Sequence, residues 1–193
     1  MTFESKIAQT TEPIHELLAN RWSPRALKSD HVISKKEIVS LLEAARWAPS
    51  SMNKQPWRFL VAFRGDENFQ LLQNTLKDTN TIWAPNASVF ILVLADQAPL
   101  TSQVAFDLGL ATSALTIQAS ALSLYTHQMA GFDKKLAQEL MQLPENLTPV
   151  VVIAVGQLEN PEILNDELRQ RELKPRTRKD LSELVLNWDE ITK

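Results

Sequence analysis

Apolar and polar positions along the chain follow two periods, one typical of helices and one typical of strands. At 34–47, Ser34 and Glu37 form a capping box and apolar residues recur on one face, which predicts a helix that Pro49 ends. The unbroken apolar run "SVFILVLA" at 88–95 predicts a central strand covered on both faces. Similar patterns predict further helices at 13–19, 66–76, 104–124, 133–142 and 161–172, and further strands at 57–63 and 149–156.

Three other segments complete the predicted organisation. The helix at 104–124 carries almost no charge, so we expect it to be buried nearly all round. The stretch "YTHQMAGFD" at 125–133 is turn-like, and the tail at 174–193 has apolar residues of its own, which favours docking on a second subunit. Helices around a few strands indicate an α+β fold with helices on both faces of the sheet.

Length and charge narrow the class of protein. The 193 residues suit one domain at 1–193, and 44% hydrophobic with 22% charged residues is typical of a soluble globular protein. The net charge of −3, with both signs mixed along the chain, argues against a nucleic-acid partner. No apolar run approaches the ~20 residues of a membrane span, and the N-terminus lacks an apolar signal core, so we expect no membrane partner and a cytoplasmic location.

Missing residue types exclude several kinds of site. The chain has no cysteine, which excludes disulfides and thiolate chemistry. Its three histidines lie far apart in sequence, which argues against a histidine-rich metal site. Its four glycines cannot form a G-x-G-x-x-G turn or a P-loop. If the protein binds a phosphorylated cofactor, side chains must hold the phosphate.

Two basic segments are candidates for that task. In "NRWSPRAL", Arg21, Ser23 and Arg25 alternate along an extended stretch, so their side chains are expected to point the same way and to grip an anion. On spacing alone, two surface arginines paired with nearby acids are the favoured alternative. "PRTRK" adds Arg176 and Arg178. The alternative for these two residues is a solvated basic turn, which is the common role of such a cluster.

Two polar loops offer further candidate contacts. "APSSMNKQPW" contains the S-x-x-K pattern of serine acylases, but their partner signatures are absent from the chain, so we reject that function. Its polar side chains either meet a flat polar ring or cap local backbone and face water. In "HQMAGFD", Gly131 is either a helix cap or a site where the backbone meets a ligand, and His127 is either structural or a general acid.

Taken in order, "RWSPR", "APSSMNKQPW", "HQMAGFD" and "PRTRKDLSELV" resemble the nitroreductase family of FMN-dependent oxidoreductases, over about residues 17–188. The resemblance implies a central mixed sheet flanked by helices, in an intertwined homodimer with two FMN sites at the subunit interface.

The resemblance further implies roles for individual residues. Arg25 would lie near the pyrimidine edge of the flavin and tune it, with Arg21 and Ser23 closer to the phosphate. The remaining implied contacts are Pro49, Ser50, Ser51, Asn53 and Gln55, which reach the same flavin from the other subunit; Ala130 and Gly131, whose backbone N–H groups face flavin N5; and Arg176 and Arg178, which close on the phosphate.

The implied function is electron transfer from NADH or NADPH, via flavin N5, to a flat, electron-poor small molecule by a ping-pong mechanism. Nitroaromatics and quinones are acceptors of that type. The alternatives are another reaction on the same fold, such as dehalogenation or flavin breakdown, a flavin-binding protein without turnover, and an α+β domain without a cofactor.

Overall fold

The computed structural model describes residues 6–192, so residues 1–5 and 193 of the predicted domain lie outside it. The strands of the described part are β1 (Trp57–Phe63), β2 (Val89–Asp96), β3 (Tyr125–Met129) and β4 (Leu147–Gly156). Its α-helices are α1 (Glu16–Asn20), α2 (Lys35–Arg46), α3 (Glu67–Thr75), α4 (Asn80–Trp83), α5 (Ser102–Ala121), α6 (Lys134–Leu140), α7 (Asp166–Leu173), α8 (Leu181–Leu184) and α9 (Trp188–Ile191).

The four strands form one sheet in the order β1-β2-β4-β3, and every neighbouring pair is antiparallel. The predicted mixed sheet is therefore wrong for these strands. The reason is visible at Phe63, the last residue of β1, which lies opposite Val89, the first residue of β2. The two helices between these strands return the chain to the end of the sheet that it left, so β2 runs back beside β1.

Helices cover both faces of this sheet, as the α+β prediction requires. On one face, Phe90 of β2 stacks on Phe69 of α3 with ring centroids 4.1 Å apart. On the other face, Ile91 of β2 belongs to a second apolar cluster with Leu108 and Leu115 of α5. Alternate residues of β2 thus enter opposite cores, and the prediction of a central strand covered on both faces is confirmed.

Helix α5 is less buried than its composition suggested. Val104, Leu108, Ala111 and Leu115 pack inward, whereas Phe106 on the outer face is 64% exposed. The prediction of a helix buried nearly all round is wrong for the single chain. The helix carries few charged residues, but the rest of the described chain covers only its inner face.

The stretch predicted to be turn-like, 125–133, begins with the edge strand β3, so that prediction is wrong for its first five residues. Two of its polar side chains form hydrogen bonds to α5. Gln128 Nε2 donates to Thr116 Oγ1 at 2.7 Å, and the Thr126 hydroxyl lies 3.4 Å from the same atom. Polar residues that favour a turn locally therefore fit a strand once a helix supplies partners.

Capping residues set several helix boundaries. Ser34 and Glu37 form the predicted capping box before α2. His15 accepts the N–H of Leu17, so α1 begins after it rather than at the predicted Pro13. The predicted helix at 161–172 is divided into a 3-10 turn and α7, because Asn165 caps α7.

The tail beyond α7 has two short helices and little burial. Leu184 is 58% exposed, and Leu186 is fully exposed. No helix within residues 6–192 is long and apolar enough to cross a bilayer. The tail thus presents apolar side chains that the rest of the described chain leaves uncovered.

Candidate functional site

The segment that contains Arg21, Ser23 and Arg25 is extended and alternates in burial. Trp22 and Pro24 are buried, whereas the three predicted site residues are half-exposed. Arg21 Nη1 donates to Ser23 Oγ at 3.2 Å. The local sequence thus places two guanidinium groups and a hydroxyl on the outer side of one stretch.

The basic residues of the C-terminal tail lie close to Arg21. Burial lowers the pKa of Arg21, and the positive charges of Arg176 and Arg178 lower it further. Arg176 is fixed by its Nη1 group, which donates to the carbonyl oxygens of Lys6 at 2.8 Å and Ala19 at 2.7 Å. Folding therefore brings guanidinium groups from the two ends of the chain together.

We call Arg21, Arg176 and Arg178 the guanidinium cluster. None of the three has a carboxylate within 4.0 Å among residues 6–192. Burial is the main cause that lowers the pKa of Arg176, as it is for Arg21, and repulsion between the neighbouring positive charges lowers both further. An anion with several acceptor oxygens, such as a phosphate, suits this arrangement because arginine binds phosphate through two parallel hydrogen bonds.

Arg25 differs from the cluster because it has a carboxylate partner, Glu172 of α7. Glu172 is 1% exposed, its Oε1 accepts the N–H groups of Arg25 at 2.7 Å and Ala26 at 3.1 Å, and its Oε2 lies 3.5 Å from Arg25 Nη1. Sequence reasoning missed Glu172. A signal was present, since Leu168 and Glu172 lie four residues apart on the buried face of a charged helix.

His127 of β3 also holds this segment. Its Nδ1 lies 2.9 Å from the carbonyl oxygen of Pro24, which can only accept, so Nδ1 carries the proton. Burial is the main cause that lowers the pKa of His127 to about 4, and the charge of Arg25 adds to the effect. The imidazole is therefore neutral near pH 7 and has a structural role.

The loop at 49–55 forms a 3-10 turn, Ser51–Asn53, before β1. The Gln55 N–H donates to Ser50 Oγ at 3.0 Å, as the local-capping alternative expected. Met52, Asn53 and Gln55 are all exposed. Pro49 is exposed as well, and Ser50 and Ser51 are partly covered, so the loop presents a mixed polar surface to whatever lies outside the chain.

Within one chain this loop does not meet the guanidinium cluster. The loop leads into β1, at one edge of the sheet, whereas His127 and Tyr125 bind the arginine segment to β3, at the other edge. Two strands lie between β1 and β3, which corresponds to about 14 Å across the sheet. The structure thus joins the predicted residues of the two chain ends and leaves the predicted loop apart from them.

Ala130 and Gly131 follow β3 directly and therefore lie at the same edge as the arginine segment. The carbonyl oxygen of Gly131 accepts the Lys77 N–H at 3.0 Å and Asn80 Nδ2 at 3.2 Å. A Cβ atom at Gly131 would lie 3.0 Å from Asn80 Nδ2, which is too close without a shift. The absence of a side chain lets this turn pack tightly on α4.

Comparisons with known proteins identify relatives over most of the chain. The model of the Nitroreductase family matches residues 18–157. A protein of Mycolicibacterium smegmatis of 15.4 kDa is 33% identical over 139 residues, which are 66% of this chain and 93% of that protein. A protein of Archaeoglobus fulgidus with the name NADH dehydrogenase/NAD(P)H nitroreductase is 29% identical over 154 residues, which are 74% of this chain and 86% of the relative.

Solved structures show the same fold. A crystal structure described as an oxidoreductase containing FMN has a TM-score of 0.85 and 33% identity, and the match covers 93% of both chains. A Desulfovibrio desulfuricans protein described as a nitroreductase in complex with FMN has a TM-score of 0.74 and 26% identity, with 92% of this chain and 98% of that chain covered. The predicted nitroreductase-like fold is confirmed.

We expect His127 to make the protein less stable in acid. Its pKa is about 4 in the folded chain and about 6.5 when unfolded, so below pH 6.5 the unfolded state binds the proton first. The free energy of unfolding should fall by up to about 3 kcal/mol between pH 6.5 and pH 4. His127→Asn keeps a donor for Pro24 but does not titrate, so urea unfolding should show a smaller loss. An equal loss in both proteins would contradict this assignment.

Proposed function

Because the chain belongs to the nitroreductase family, we propose that it is an FMN-dependent oxidoreductase that transfers electrons from NADH or NADPH to a flat, electron-poor small molecule. The observation that carries this proposal is the guanidinium cluster, which has no carboxylate partner among residues 6–192 and suits the phosphate of FMN. The relatives named for NAD(P)H nitroreductase and the FMN-containing structural neighbours agree with it.

In this proposal the cluster and Ser23 hold the phosphate. Arg176 uses Nη1 to fix the tail, and its remaining N–H groups stay available. Arg21 donates to Ser23 Oγ, whose proton is then free to point to an anion. Phosphate binding would also relieve the repulsion among the three guanidinium groups, so the charge arrangement favours the occupied site.

Arg25 would face the pyrimidine edge of the ring. When bound, FMN supplies the redox chemistry, including hydride acceptance from a nicotinamide. A fixed cation near that edge stabilises negative charge there. Glu172 holds the Arg25 backbone through Oε1, and its Oε2 lies 3.5 Å from the guanidinium, so Arg25 is anchored from the buried side.

We assign the remaining predicted contacts to a second copy of the chain. Residues 49–55 lie beside the opposite edge of the sheet from the guanidinium cluster, so one chain does not bring them together. The uncovered face of α5 and the exposed apolar residues of the tail support a homodimer. We propose that the loop of one subunit meets the ring held by the other, beside Ala130 and Gly131, and that flat acceptors such as nitroaromatics or quinones follow NAD(P)⁺ into the same place in a ping-pong cycle.

Anaerobic titration tests the activity. With FMN bound, NADH or NADPH should bleach the visible flavin band, and a nitroaromatic or a quinone should restore it. Bleaching that neither acceptor reverses would favour dehalogenation or flavin breakdown on the same fold. A flavin band that no pyridine nucleotide bleaches would indicate a binding protein without turnover, and failure to bind FMN would contradict the proposal.

Affinities for FMN and riboflavin separate the phosphate contacts from the ring contacts. Arg21→Ala and Arg178→Ala should each weaken FMN binding by about 1.5–3 kcal/mol, the contribution of a hydrogen bond to a charged group, and leave riboflavin binding unchanged. Arg25→Ala should weaken both ligands. The control Arg169→Ala removes a surface charge paired with Asp166 and should change neither affinity. Equal losses for both ligands in Arg21→Ala would contradict the phosphate role.

Sedimentation equilibrium tests the homodimer. Two chains of 21.8 kDa should sediment as one species. Phe106→Glu places a charge on the uncovered face of α5, where it meets no described core residue, and should shift the population toward monomers. FMN affinity should fall with dimer content, because the loop then has no second subunit to reach. A monomer that binds FMN as tightly as the dimer would contradict the shared site.

A further inference from the structure

Asp107 of α5 is a buried carboxylate that the proposed function does not yet use. It is 2% exposed, and a buried carboxylate is costly unless its oxygens accept hydrogen bonds. Its Oδ1 accepts Gln103 Nε2 at 3.0 Å, one turn earlier on the same helix. Its Oδ2 accepts the backbone N–H of Ser51 at 3.2 Å, in the loop 56 residues away along the chain.

That loop has a backbone that needs external support. Met52, Asn53 and Gln55 have φ values of 53°, 54° and 48°, in the left-handed region that non-glycine residues rarely adopt. The bond from the Gln55 N–H to Ser50 Oγ stays within the loop. Strained conformations of this type persist when surrounding groups fix them.

Contacts from outside the loop hold its two ends separately. Near β1, Arg58 donates to the carbonyl oxygen of Gln55 at 3.1 Å, and the Asp96 N–H donates to that of Pro56 at 2.7 Å. At the start of the 3-10 turn the contact is the one to Asp107. A cleft of about 260 Å³ lies between Lys54 and this end of α5, so packing does not replace the hydrogen bond there.

We propose that Asp107 is a positioning residue: it holds the loop at 50–55 in the conformation that meets the ring of FMN in the other subunit. This inference rests on the proposed function. Asp107 lies on the inner face of α5, next to Phe106 on the face that we assign to the second subunit. One helix therefore sets both where the partner docks and how the loop that reaches the partner is shaped.

Asp107→Ala removes both acceptors and should weaken FMN and riboflavin by the same factor, about tenfold, because the loop serves the ring and not the phosphate. Asp107→Asn keeps the size and one acceptor oxygen for Ser51, and it should restore most of the affinity. The control Gln118→Ala breaks another hydrogen bond of α5, to Ser40 of α2, away from the loop, and should bind both ligands as the wild type does.

Limited trypsin digestion of the cofactor-free protein supplies a readout that needs no flavin. Lys54 lies in the loop, and cleavage after it should be at least about threefold faster in Asp107→Ala, which frees the start of the turn, than in the wild type or Gln118→Ala. Unchanged cleavage, or unchanged riboflavin affinity in a variant that still folds, would overturn the role of Asp107. Failure of the wild type to bind FMN would instead overturn the proposed function, and the cleavage result would stand by itself.

Discussion

The guanidinium cluster is the constraint on which the candidate site depends. Arg21 comes from the start of the chain, and Arg176 and Arg178 come from its end. Burial is the main cause that lowers the pKa of Arg21 and Arg176, and the neighbouring like charges lower both further. Such an arrangement forms only if other contacts offset the repulsion. Two hydrogen bonds from Arg176 to backbone carbonyls do so, because they fix the tail on the segments around Lys6 and Ala19 regardless of any ligand.

Neutral and anionic groups behind the arginine segment keep the charge on its outer side. His127 binds Pro24 in its neutral form, so it adds no further positive charge beside Arg25. Glu172, which is buried, accepts the backbone N–H groups of Arg25 and Ala26, and its carboxylate forms no ion pair with the cluster. The segment is thus held by groups that balance the positive charge of Arg25 and leave the guanidinium cluster without a carboxylate partner among residues 6–192. This separation distinguishes a receptor for an anion from an ordinary surface ion-pair network.

Local patterns predicted much of this molecule, and long-range contacts account for the rest. The capping box at Ser34, the covered strand β2 and the alternation of the arginine segment depend on neighbours in sequence. Glu172 and Asp107 were not predicted, because their partners lie 147 and 56 residues away along the chain. Glu172 also lies on a charged helix, and such helices usually face water. The prediction of a turn over β3 was wrong because Thr116 of α5 forms hydrogen bonds to two of its polar side chains, Thr126 and Gln128.

The exposed apolar residues of the tail link subunit association to the binding of a phosphate by the guanidinium cluster. In the described tail, residues that belong to the cluster are followed directly by α8 and α9, two short helices with exposed apolar side chains. Docking of those helices on a second subunit would restrict the backbone that carries Arg178, which is itself exposed and, within residues 6–192, donates to the carbonyl oxygen of Thr177. Subunit association would then lower the entropy lost when Arg178 closes on a phosphate, so dimer formation and cofactor binding should strengthen each other reciprocally.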